Sequence, residues 1–121
     1  MRVKEVATRA LVWTTTDESI RQAARQLGAN QVGALTVGTD GRPVGVLTEW
    51  DIVQAVADGV DLNETPVGEY MTPVVLGIEE DDAVSDAVQQ MKEYRVRHLL
   101  VLRHGKPRAM LSDRDLLEGT Q

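Results

Sequence analysis

Laid over itself with a shift of 64 residues, the chain aligns residues 3–53 with residues 67–117 without a gap, and 13 of those 51 positions are identical. The matches run the whole length of the overlap, among them Glu5/Glu69, Asp17/Asp81, Ala23/Ala87, Leu35/Leu99, Gly41/Gly105, Pro43/Pro107, Leu47/Leu111 and Asp51/Asp115, with Leu27/Met91 and Thr48/Ser112 as similar pairs. Self-similarity kept in register that long is an internal duplication. Whatever one half becomes, the other must become as well. A copy of about 50 residues is below the size at which a lone core is comfortably stable. The two copies are therefore expected to bury their sheets against each other about a pseudo-two-fold axis, leaving two equivalent clefts.

Each copy carries the same local signals. Ile20, Ala23, Ala24 and Leu27 fall at i, i+3, i+4 and i+7, and Val84, Ala87, Val88 and Met91 repeat the spacing, which predicts an amphipathic helix in each. Thr15 or Asp17 in the first copy and Asp81 in the second are the expected N-caps. Next, "VGALTV" and "VLT" flank "GTDGRP", while "RHLLVL" and "AMLS" flank "RHGKP", an apolar strand, a glycine turn and a second strand in each case. "EWDIVQAVADG" and "DRDLLEG" read as closing helices, the second cut short by the C-terminus, and "LVWT" and "VVLGI" as short extended leads. The fold class is α/β (α+β), two β-α-β-β-α repeats. Residues 3–57 form the first repeat, 58–66 ("DGVDLNETP") a polar linker and 67–118 the second.

Several function classes are argued against. A formal charge of −6 opposes broad attraction to nucleic acid or anionic lipid, so any anion must be held locally. There is no cysteine, hence no thiolate nucleophile, thiolate metal site or disulfide. "MRVKEVATRALVW" lacks a signal-peptide core, and no stretch approaches the roughly 18 apolar residues of a membrane span; the expected location is cytoplasmic, with no membrane partner. His98 and His104 have no cysteine or suitably spaced histidine beside them for a metal, and no serine and aspartate arranged as a triad. No metal ligand and no catalytic residue is expected, and the chain is not read as an enzyme.

The repeated phrase "GVLTEWD", residues 45–51, and "AMLSDRD", residues 109–115, places a hydroxyl residue three before an aspartate where a strand gives way to a helix. A capping box explains that spacing. So does a binding site, because a helix N-terminus presents free N–H groups and a carboxylate there can accept both hydroxyls of a vicinal diol such as ribose. Charged hydrogen bonds of that kind are worth about 1.5–3 kcal/mol each. The four residues alone leave both readings open.

With the duplication, the motif makes the chain resemble a tandem pair of CBS domains, the module named after cystathionine β-synthase. The resemblance runs over residues 3–117, from "VGEYMTP" to "LSDRDLL" in the second repeat and through "GRPVGVLTEWDIV" in the first. It implies a regulatory two-repeat (Bateman) module whose clefts bind an adenosine-containing ligand such as AMP, ADP, ATP, S-adenosylmethionine or NAD, with no obligatory cofactor and an unknown effector protein as partner. It also implies that Thr48 and Asp51, and Ser112 and Asp115, hold ribose, and that adenine lies near each first strand, at Thr14, Thr16, Leu76 and Ile78. The alternative is a ligand-free dimerisation module, since CBS pairs dimerise through their helices. A homodimer is expected to cover Val53, Val56, Leu116 and Leu117. Thr36 and Leu100 stand where the family commonly has proline, and Ala109 replaces the glycine kept at Gly45.

Lys92, Arg95, Arg97, Arg103, Lys106 and Arg108 lie with both histidines against the single acid Glu93, and Arg114 follows. Such an island is either solvated surface charge or a phosphate site with arginine as bidentate partner. Arg97, His98 and Arg114 flank the second motif and are the phosphate candidates; Trp50 stands where the second copy has Arg114, so the two clefts differ in charge. Trp13 and Trp50 are expected to pack or anchor an interface, and Met91 and Met110 to sit in the core.

Overall fold

Asp40 and Gly41 both adopt positive φ (53° and 74°), and so do His104 and Gly105 (50° and 78°). Two consecutive left-handed residues make the tight turn whose twist matches a hairpin, and asparagine, aspartate and histidine tolerate that region better than other side chains. In the computed structural model, which describes residues 1–73 and 75–119, these turns join β2 (Ala34–Thr39) to β3 (Arg42–Thr48) and β5 (His98–Arg103) to β6 (Lys106–Ser112). Ahead of each hairpin lie a short strand and a helix: β1 (Trp13–Thr14) and α1 (Ile20–Asn30), then β4 (Gly77–Glu79) and α3 (Val84–Tyr94). After each comes a closing helix, α2 (Glu49–Asp58) and α4 (Asp113–Gly119). The class is mixed α+β, with two three-stranded sheets ordered β1-β2-β3 and β4-β5-β6. In each, the first strand runs parallel to the second and the second antiparallel to the third. Val74, the first residue of the "VVLGI" stretch, lies outside the described residues.

The helix starts correct the expected caps. Ser19 is the N-cap of α1 and its hydroxyl accepts from Gln22 N at 3.1 Å, while Ala83 stands at the start of α3 with no side chain able to cap. Thr15, Asp17 and Asp81 lie too early, because the residues between strand and helix are used to turn the chain. Asp82 Oδ2 accepts from Glu79 N at 3.2 Å, and Asp81 pairs instead with Lys4 at 2.9 Å and Arg2 at 3.3 Å.

The residues sort into two compact units, a central one of Val12–Val75 and a terminal one joining Met1–Leu11 to Leu76–Gln121. The single-turn helix Val67–Glu69, which leads into the second repeat, therefore packs with the first repeat's strands, and Val3–Glu5 packs with the second's. The hydrogen bonds holding them obey the 64-residue shift. Val67 N donates to Glu18 O (2.8 Å), Gly68 N to Thr16 O (2.9 Å) and Ile20 N to Thr65 O (2.9 Å). Val3 N donates to Asp82 O, Lys4 N to Glu80 O and Val84 N to Met1 O, each at 2.9 Å. The stretch expected as a linker packs as well: Val60 and Leu62 lie against the central core, and Arg21 N donates to Leu62 O at 3.0 Å.

Alternation along each strand sends one set of side chains to the helices. Leu35, Val37 and Leu47 join Ile20, Ala23, Leu27 and Ala55 in the central core. Leu99, Val101 and Leu111 join Ile78, Val84, Ala87, Met91 and Leu116 in the terminal one. Fully burying a leucine, isoleucine or valine contributes about 1.5–3 kcal/mol, so these side chains are the main stabilising content of each unit. Two expectations change here. Leu116 is 7 % exposed and belongs to the core rather than the outer surface, and Met110 is half-buried on the opposite sheet face.

Candidate functional site

At the end of β3, Thr48 leaves the sheet in an extended conformation and caps α2. Its N–H donates to Asp51 Oδ2 at 2.8 Å, its hydroxyl lies 3.2 Å from the same oxygen, and Asp51 N donates back to Thr48 Oγ1 at 3.4 Å. Ser112 and Asp115 repeat the arrangement at the start of α4, with Ser112 N donating to Asp115 Oδ2 at 2.9 Å and Asp115 N to Ser112 Oγ at 3.1 Å. The capping geometry is thus present in both copies. It engages each carboxylate through Oδ2, so capping and acceptance of a diol through Oδ1 are compatible. Asp51 is half-buried, and that burial pushes its carboxyl above the ordinary value against the hydrogen bonds from Thr48.

Backbone bonds pin both corners to the residue just before β2 or β5: Glu49 N donates to Gly33 O at 3.1 Å and Asp113 N to Arg97 O at 2.9 Å. In the strand register Thr48 faces Ala34, whereas Ser112 faces His98. The structure therefore brings Arg97, His98, Ser112, Arg114 and Asp115 to one corner, with Arg97 and Arg114 exposed and His98 half-buried. The corresponding places around Thr48 and Asp51 hold Gly33, Ala34 and Trp50, the last 65 % exposed.

The adenine candidates fall elsewhere. Thr14 pairs with Val37 and Ile78 with Val101, so both point to the helix side of their sheets, opposite the face carrying Thr48 or Ser112. Ile78 is a core residue and Leu76 packs against that core from a half-buried position. Thr16 is exposed, and its carbonyl accepts from Gly68 N.

Two residues of the basic island, Arg103 and Arg108, serve another purpose. Glu80, 8 % exposed, accepts from Arg103 Nε at 2.7 Å and faces Arg108 Nε across 3.0 Å as an ion pair. Arg108 also donates to Ala7 O at 3.2 Å, which ties the N-terminal segment to the terminal unit's sheet. The Arg103 hydrogen bond is the main cause that holds the Glu80 carboxyl below the ordinary glutamate range. Sequence reasoning missed Glu80 because the run "EEDD" reads as solvated acid; only the unpaired excess of arginine further along hinted at a partner.

The departures from the family pattern have local explanations. The N–H of Thr36 donates to Val12 O and that of Leu100 to Leu76 O, both at 2.9 Å, bonds that a proline would forfeit. A Cβ on Gly45 would lie 2.6 Å from Thr72 O and 2.9 Å from Met71 Sδ. At the equivalent Ala109, which carries a methyl, the crossing segment bridges at Ala10 instead. Among the described residues no group of three or more histidine, aspartate or glutamate side chains is placed to hold a metal ion, and no helix is long and apolar enough to cross a membrane.

The CBS domain family model matches residues 3–58 and 67–120. An uncharacterised 17.7 kDa protein of Acidianus ambivalens is 36 % identical over 117 residues, covering 95 % of this chain and 70 % of that protein. The chain spans 17 % of the length of two CBS domain-containing proteins of Arabidopsis thaliana, each 34 % identical to it over 93 residues. Among solved structures, the CBS domain protein PAE2072 from Pyrobaculum aerophilum, complexed with AMP, superposes with a TM-score of 0.85 at 31 % identity and covers 99 % of this chain and 98 % of its own. The CBS domain pair of protein MJ0100, in complex with 5′-methylthioadenosine and S-adenosyl-L-methionine, gives a TM-score of 0.86 at 25 % identity over 100 % and 98 % of the two chains. With the same strand-turn-helix corner built twice and the family pattern matched along both copies, the chain belongs to the CBS domain family as a tandem pair.

Proposed function

We propose that the chain is a regulatory module that senses an adenosine-containing ligand and passes its occupancy to an effector protein. The observation that carries this reading is the duplicated corner, in which a carboxylate at a helix start is fixed through one oxygen; the other is the acceptor this reading assigns to a diol. The AMP-bound relative at 31 % identity supports the ligand class. In this reading Thr48 and Asp51, and Ser112 and Asp115, hold ribose, while Arg97, His98 and Arg114 neutralise phosphate at the second corner only. Thr14, Thr16, Leu76 and Ile78 act on adenine through the backbone at and beside the first strands, since the side chains of Thr14, Leu76 and Ile78 are turned to the cores.

A homodimer is part of the proposal, because α2 leaves Trp50, Val53 and Val56 exposed and α4 leaves Leu117 exposed, a larger apolar surface than two short helices need show to water. A thermal-shift screen against AMP, ATP, NAD and S-adenosylmethionine tests the ligand reading. A ligand at 100 times its dissociation constant should add about 2.7 kcal/mol. No shift with any of them, together with a dimer in sedimentation, would instead select the ligand-free dimerisation module.

A further inference from the structure

Thr36 lies between Leu35 and Val37, both in the central core, so its side chain leaves the sheet on the face that carries Thr48. It is 1 % exposed, and its hydroxyl has no hydrogen-bond partner. Burying a hydroxyl without a partner is costly, and valine would fill the same space without that cost. The second repeat places the apolar Leu100 at this position, 2 % exposed. The orphan is therefore a liability of the first repeat alone, and local rules are broken in this way where a ligand is meant to complete them.

Its position says which ligand group that is. Thr36 pairs with Val46, two residues before Thr48, which puts it diagonally across the strand pair from Thr48, roughly 7–8 Å away on the same face. A nucleoside anchored by its ribose at one end of that diagonal carries its base toward the other. Adenine offers both donors and acceptors on its edges, and a threonine hydroxyl can serve either. We propose that Thr36 is a ligand-selecting residue of the first repeat. Its hydroxyl hydrogen-bonds the polar edge of the base of an adenosyl ligand held by Thr48 and Asp51, a bond that Leu100 cannot offer in the second repeat. This rests on the ribose reading of that corner.

Calorimetry with adenosine as the probe, on the full chain and its Thr36→Val, Thr36→Ser and Asp51→Asn variants, tests it beside their melting temperatures. Thr36→Val should melt at or above the parent temperature and bind adenosine at the first repeat about 10-fold more weakly. Thr36→Ser, which restores the hydroxyl, should recover most of that loss. A Thr36→Val protein that binds adenosine as the parent does overturns the assignment. So does a Thr36→Ser protein that binds as weakly as Thr36→Val, since the residue then acts through packing alone. If Asp51→Asn also leaves binding untouched, the ribose reading has failed; if Asp51→Asn weakens binding and Thr36→Val does not, only the role of Thr36 has failed.

Discussion

Around Thr48 and Asp51 the neighbouring places hold Gly33, Ala34 and Trp50; around Ser112 and Asp115 the same places hold Arg97, His98 and Arg114. The backbones beneath them agree closely. The left-handed helix ends fall at Gln31 (φ 53°) and Arg95 (φ 56°), and both corners are pinned by the same amide-to-carbonyl bond. The geometry that could hold a diol has thus been kept twice, while the charge beside it has been changed in one copy. A second contrast runs through the strand-to-helix turns. The terminal unit ties its N-terminal segment down with Glu80, Arg103 and Arg108, where the central unit has Thr16, Thr39 and Val44. In the proposed reading, duplicated backbone with diverged side chains lets the two corners share a geometry and differ in ligand.

The charge contrast is broken most directly at Arg114. Arg114→Ala should weaken AMP by about 1.5–3 kcal/mol, the value of a charge-assisted hydrogen bond, and leave adenosine nearly unchanged. Calorimetry showing equal losses for the two ligands would remove Arg114 from phosphate recognition and leave the two corners electrostatically alike in function.

The packing contrast is sharpened at Gly45. Adding a methyl there forces Thr72 O or Met71 to move, so Gly45→Ala should destabilise the chain by about 1–3 kcal/mol in denaturant unfolding. The mirror change Ala109→Gly should cost only about 0.5–1 kcal/mol, through backbone entropy. Equal effects would mean that the two crossing segments sit alike.

The smallest effect is expected in the pH dependence. Glu80 titrates below its ordinary value when folded. The stability it adds is present in full above the ordinary glutamate pKa and is lost as pH falls through the lowered folded value. Glu80→Gln should therefore flatten the acid limb of a melting-temperature curve recorded by circular dichroism. Asp51, whose carboxyl is raised by burial, works in the opposite sense: between its ordinary and its raised value the folded state binds the extra proton, so acidification there is mildly stabilising. An acid limb unchanged by Glu80→Gln would show that the ion pairs do not hold the terminal unit together.

The amphipathic stripes at Ile20 and Val84, the two hairpins with their Gly41 and Gly105 turns, and the hydroxyl-x-x-aspartate corners were all legible in the chain, because each depends on residues within a few positions of one another. So was the gathering of Arg97, His98 and Arg114 beside the second corner, since they flank a motif that was itself recognisable. What was not legible depends on distant partners. Ser19 rather than Thr15 or Asp17 caps α1, because the preceding residues are drawn into bonds with 65–68. Glu80 is buried only because Arg103 and Arg108 arrive from the following hairpin, and Leu116 turns inward with the core of its own unit. Periodicity and capping chemistry, which act along the chain, determined the elements and the motif. Tertiary packing, which joins residues that no spacing rule connects, decided that the lead-ins change places between the repeats and that the Thr36 hydroxyl is left without a partner.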